Sequence, residues 1–251
     1  LEHRPASPPR PAASSTLPQG PALVVTTYDE DYLLAAGGTV ARMVQSGSEV
    51  SLLRVVEDGA RAESEEAERL LGVRQVFSLN YRRGELPAVS PTELRDRILF
   101  YIRRLRPRSL WIPNPYAHHD GRMDRLYAGS AAEEARLAAG LANFQPPFAL
   151  AGLAPYTVPD LYYYSQPLDP ETLRPEAAAP FVPQPVAFDI GGTAAGRKLN
   201  ALLALHSANQ AIWRDVTTRL ARTGRKLDAS SPDALARIRV TGLGNSEAFL
   251  H

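Results

Sequence analysis

The chain has 251 residues and 27.3 kDa, with 44% hydrophobic residues, enough to bury the core of one large domain. Lys and Arg number 28 against 27 Asp and Glu, a net charge of +1, which argues against a nucleic-acid partner held by bulk electrostatics. There is no cysteine, which excludes disulfides and thiolate chemistry, and no apolar run reaches the ~18 residues of a membrane span.

In chain order, residues 1–20 are rich in Pro, Ser and Ala and lack an apolar period, so they read as a disordered tether. The chain opens on Leu1 rather than Met, and such a tether often follows a removed signal or anchor; the compartment is left open, with export to a periplasm one reading. Residues 21–251 read as a single domain. Strands are expected near 22–27, 50–56, 75–80 and 109–113, with helices near 38–47, 62–71, 92–106 and 124–140. This alternation predicts an α/β fold, a Rossmann-like and mostly parallel sheet with helices on both faces. The run Arg103-Arg104-Leu105-Arg106-Pro107-Arg108 reads as a solvated helix end, where cations suit the helix dipole. Tyr162-Tyr163-Tyr164 resembles a sugar-stacking set, but strand alternation sends at least one of them to the core. Helices are further expected over Thr193–His206 and near Gln210–Arg222, with His206 a structural histidine.

The most informative stretch is Leu23-Val24-Val25-Thr26-Thr27-Tyr28-Asp29-Glu30-Asp31-Tyr32 followed by Gly37-Gly38-Thr39. A β-branched apolar run ends in three acids, at the carboxyl end of a first strand where open α/β sheets bind ligands. The stretch resembles the PIG-L/LmbE family of zinc-dependent N-acetyl-sugar deacetylases, whose first strand ends in an HPDDE-type motif followed by GGT. Without gaps, Tyr28 falls on the His, Asp29 on the Pro, Glu30 and Asp31 on the two Asp, and Tyr32 on the Glu. Asp58-Gly59 with Arg61, then Leu71-Gly72-Val73, resemble later family segments. So does Arg83-Gly84-Glu85-Leu86, with Arg in place of Asp, and the resemblance runs to about residue 250. The family's second motif, HPDH preceded by an Asp, corresponds to Asp120-Gly121-Arg122-Met123-Asp124-Arg125, where both His are Arg.

The resemblance implies roles position by position. Tyr28, Asp31 and Arg125 take the places of the zinc ligands, Glu30 that of the general base, and Arg122 that of the oxyanion-stabilising His. A catalytic zinc needs about three protein ligands and an open position, drawn from His, thiolate or carboxylate. Here only Asp31 remains, and Arg125 adds a fixed positive charge. The expectation is therefore a degenerate zinc site with no cofactor, in a non-catalytic domain that binds a glycan, an N-acetyl sugar or a partner through Tyr28, Arg61, His118, His119, Asp120, Arg122 and Arg125. A second reading is an active metal-dependent N-deacetylase whose site is rebuilt around Asp31, Asp120, His118 and His119, with Glu30 as base and zinc as cofactor. A third is a structural domain of an exported assembly. The oligomeric state is left open. In place of the metal, Arg–carboxylate pairing is expected between Arg122 or Arg125 and Glu30 or Asp31.

Overall fold

A computed structural model describes residues 13–14, 16–57, 61–116, 122–164, 185–205 and 246–250. The strands are β1 (Ala13–Ser14), β2 (Ala22–Thr26), β3 (Val50–Val56), β4 (Gln75–Tyr81), β5 (Ser109–Pro113), β6 (Asp160–Tyr164), β7 (Pro185–Asp189) and β8 (Ser246–Leu250). The helices are α1 (Asp29–Gln45), α2 (Arg61–Leu71), α3 (Pro91–Leu105), α4 (Met123–Ala139), α5 (Pro146–Leu150) and α6 (Gly191–Ala204). The strands form one eight-stranded sheet in the order β1-β7-β8-β6-β5-β2-β3-β4. The five strands β4-β3-β2-β5-β6 are mutually parallel, while β8 runs antiparallel to both of its neighbours. Ala13 and Ser14, in the segment expected as a tether, pair with β7.

The pleat explains the two-sided core. Along β2, Ala22 and Val24 pack with Val40, Leu71 and Leu202 of α1, α2 and α6. The alternate residues Leu23 and Val25 pack with Ile98, Leu99 and Ala132 of α3 and α4 on the other face. Every residue of β2 and β5 is buried, as expected for parallel strands covered on both faces. Among the described residues no helix is long and apolar enough to cross a membrane.

Three expectations are corrected. First, α1 begins at Asp29 rather than near 38, and Gly37-Gly38 lies within it. Two internal glycines cost about 1 kcal/mol each, but Asp29, Glu30 and Asp31 in the first turn suit the helix dipole, and Tyr32, Leu33 and Ala36 gain burial. At Gly37 a Cβ would come within 3.3 Å of Lys198 on α6, so the glycine serves helix–helix contact. Second, the Arg103–Arg108 run is not simply solvated. Arg103 is buried and donates to the carbonyls of Ala139 at 3.1 Å and Leu141 at 2.9 Å, satisfying the carboxyl end of α4. Third, Tyr162, Tyr163 and Tyr164 are all buried: Tyr162 stacks on Trp111 at 4.1 Å, and the Tyr164 hydroxyl donates to the Val25 carbonyl at 2.7 Å. Packing within the protein occupies their rings, so they form no stacking platform for a sugar. His206 and the expected helix over Gln210–Arg222 lie outside the described residues.

The order β4-β3-β2-β5-β6 reverses direction between β2 and β5, and a crevice opens at the carboxyl ends of strands at such a switch point. The loop into α1 and the segment leading to α4 leave from these two strands. What sets α4 close to the crevice is Gly129, where a Cβ would lie 2.4 Å from the Pro113 carbonyl oxygen. Replacing Gly129 with alanine is expected to push α4 off the end of β5 and cost about 1–3 kcal/mol. Urea unfolding measures this, and an unchanged midpoint would mean that the contact is not tight.

Candidate functional site

Tyr28 caps α1 in extended conformation, and the Thr26 hydroxyl donates to its carbonyl at 2.6 Å. Its ring is buried and its hydroxyl donates to Asp124 at 2.5 Å. The same Asp124 carboxylate accepts the Gly84 amide at 2.6 Å and the Leu86 amide at 3.2 Å. One buried carboxylate thus joins the loops that follow β2 and β4 to the first turn of α4. Burial, and then the hydrogen bond to Asp124, push the Tyr28 phenol well above its ordinary value, so it stays protonated.

One residue beyond Asp124, the Arg125 guanidinium grips Asp31 with both arms: Nε donates to Oδ2 at 2.8 Å and Nη2 donates to Oδ1. Both side chains are largely buried, 12% and 3% exposed. Glu30, also buried, is reached at one oxygen by Arg122 at 3.3 Å and Arg83 at 3.4 Å. All three guanidiniums surround the Tyr28 ring, with Arg83 4.0 Å, Arg122 5.5 Å and Arg125 5.6 Å from its centroid. The predicted Tyr28, Glu30, Asp31, Arg122 and Arg125 therefore come together.

Arg61 does not join them. Its side chain is 77% exposed and pairs with Glu65 one turn along α2, because the helix starts at Arg61 itself and turns it to solvent. His118, His119 and Asp120 lie outside the described residues. Among the described residues, no group of three or more His, Asp or Glu is arranged to hold a metal ion.

Sequence reasoning missed three contributors. Asp124 is the anchor of the cluster, and Arg83 stands out in the sequence only as a departure from an Asp-Gly-Glu-Leu turn. The third is a layer behind the site: buried Arg54 on β3 pairs with Asp29 at 2.8 Å and with Glu68, while Ser64 donates to Asp29 at 2.5 Å. Burial pushes the Glu68 carboxyl up to about 7 against the pull of Arg54. An arginine within the apolar run Ser51-Leu52-Leu53-Arg54-Val55-Val56 was the available signal, because a charge inside a two-sided core needs a partner.

Burial raises the Asp31 carboxyl to about 6, with Arg125 pulling the other way. A carboxyl raised in the folded state binds its proton more tightly there than in the unfolded chain. Its contribution to stability is therefore full below about pH 4 and is lost as pH rises through about 6. Removing the counter-charge should deepen that loss. Arg125→Ala is expected to destabilise by on the order of 3 kcal/mol at about pH 8 and by less near about pH 5, with Asp31→Asn in the same chain recovering part. Thermal melts across pH in a double-mutant cycle measure this; additive effects would mean that the two residues do not interact.

Residues 23–135, a span holding the whole cluster, match the family PIG-L, GlcNAc-PI de-N-acetylase. The chain is 28% identical over 159 residues to the diacetylchitobiose deacetylase of Thermococcus kodakarensis, a match that covers 57% of this chain. It spans only 58% of that relative's length. Among solved structures, a conserved protein from Thermus thermophilus superposes with a TM-score of 0.64 at 24% identity, over 92% of this chain and 93% of that one. The N,N'-diacetylchitobiose deacetylase of Pyrococcus horikoshii, complexed with its inhibitor MPG, gives 0.62 at 23% identity, over 82% and 80%. At these identities the structural likenesses establish the fold. In sequence, the similarity to the PIG-L family spans residues 23–135.

Proposed function

We propose that this PIG-L/LmbE-like domain binds a carbohydrate in the crevice between β2 and β5 and neither holds zinc nor removes acetyl groups. The single observation that carries the reading is the two-armed grip of Arg125 on Asp31. The donor set does not fit a zinc ion. Of the three positions that the resemblance gives to the metal, Tyr28 is a protonated phenol already donating to Asp124. Asp31 has both oxygens engaged by a guanidinium, and Arg125 has no lone pair to offer. Glu30, in the general-base position, faces Arg83 and Arg122 rather than a vacant metal coordination position.

Sugar binding is supported by the likeness to diacetylchitobiose deacetylases, proteins named for an N-acetyl-sugar substrate, and by the position of the cluster at the sheet's switch point. Elemental analysis of the purified protein and an acetate-release assay on N-acetylglucosamine conjugates test the reading together. The expected result is zinc far below one per chain and no acetate released. About one zinc per chain, lost on Asp31→Ala, would overturn it and favour a remodelled deacetylase with Glu30 as base.

A further inference from the structure

β4 ends the sheet, and among the described residues its strand partner is β3 alone. A strand in that place leaves one row of backbone N–H and C=O groups without a strand beside it, and proteins blunt such rows with a short strand, a charge, a proline or a bulge. The opposite end of the sheet is blunted in this way, because β1 is only two residues long. β4 runs for seven residues, Gln75-Val76-Phe77-Ser78-Leu79-Asn80-Tyr81, with no charge and no proline. Its protection lies at the carboxyl end. Arg54 faces Ser78 while Val56 faces Tyr81, so β4 carries an extra residue there; Asn80 is left-handed at φ 59°, and Arg97 donates to the Leu79 carbonyl at 3.3 Å. Before that point Gln75 to Ser78 keep an unbroken register with β3, and Val76 is 37% exposed.

The charges beside the strand decide what fits against it. Arg74 pairs with Glu49, Arg97 with Glu93 at 3.2 Å, and Arg95 with Asp96 at 2.8 Å. Arg104 is exposed and lies over the rings of Phe77 and Phe100, at 5.6 and 5.9 Å, with no carboxylate beside it among the described residues. α3 runs antiparallel to β4: Glu93 accepts the Tyr81 hydroxyl at 2.8 Å at one end, and Arg104 stands over Phe77 at the other. A two-fold axis through the edge would set β4 antiparallel to its copy and bring the Glu93 end of one α3 to the Arg104 end of the other. An uncharged strand does not repel itself, and its flank is complementary to itself. A groove of about 530 Å³ between β4 and α3, walled by Leu79, Phe100, Tyr101 and Phe148, would fall in the seam and leave room for a partner's side chains. We propose that β4 is an interface between two copies of this chain, which pair edge to edge and antiparallel into one continuous sheet.

Sedimentation equilibrium of the whole chain tests this. The expected mass is twice the 27.3 kDa of one chain when concentrated, falling toward one chain on dilution. Gln75→Lys and Val76→Lys, both at exposed positions, put a cation on the open edge and should each weaken association at least about tenfold. Arg104→Glu turns attraction to Glu93 into repulsion and should weaken it about fivefold, an effect that shrinks as salt is added. Leu137→Lys, at another exposed apolar residue on α4, 64% exposed, is the control and should leave association unchanged. Melting curves confirm that each variant is folded. Hydrogen exchange of the unaltered chain gives a readout that needs no substitution: the amides of β4 should exchange more slowly when concentrated than after dilution. A single-chain mass at every concentration would overturn the interface. So would an association that survives both lysines on β4, or one abolished by Leu137→Lys alone.

Discussion

The carboxylate of Asp124 holds together the loops on which the rest of the site depends. Its oxygens accept the Tyr28 hydroxyl and the amides of Gly84 and Leu86, so the segments after β2 and β4 are tied to the first turn of α4. A buried carboxylate without such donors would be costly, and with them it is strongly directional. The next residue in α4, Arg125, is thereby delivered to Asp31, and Arg83, just before Gly84, is drawn over the Tyr28 ring. Gly129 one turn farther along brings the helix close enough to Pro113 for this geometry to be reached.

The second constraint is charge. Three acids open α1, where the helix dipole favours them, but burial beneath neighbouring loops strips them of water. Each is matched by a guanidinium: Asp29 by Arg54, Glu30 by Arg83 and Arg122, Asp31 by Arg125. In the proposed reading these cations stand where the resemblance puts a metal and its histidines. A guanidinium differs from a metal ion in consequence as well as in charge. It satisfies carboxylates through fixed forks and cannot polarise water for attack.

Much of the fold was legible because its signals are periodic. The four strands near Ala22, Val50, Gln75 and Ser109 and helices α2, α3 and α4 lie within a residue or two of their expected places. The parallel sheet with two helical faces follows from the same alternation. The start of α1 was not legible, because Gly37-Gly38 marks a helix boundary in local propensity, and what outweighs it is the burial of Tyr32, Leu33 and Ala36 in the tertiary fold. Tyr28, Glu30, Asp31, Arg122 and Arg125 could be brought together from the two motifs and the strands that deliver them. Asp124 and the Arg54 layer could not, since their partners are distant in sequence and a hydrogen bond to a backbone amide leaves no trace in residue type. Arg103 misleads for a similar reason: a cation at a helix end looks solvated until another helix's carbonyls are found beside it.

The central claim is that an arginine fork, rather than a metal, completes the Asp31 carboxylate. Crystals grown with excess zinc, with diffraction recorded at the zinc absorption edge, test it most directly. The account predicts continuous density from both Asp31 oxygens to the Arg125 guanidinium and no anomalous peak among Tyr28, Asp31 and Arg125. An anomalous peak within about 2.2 Å of an Asp31 oxygen, with Arg125 turned away, would contradict it.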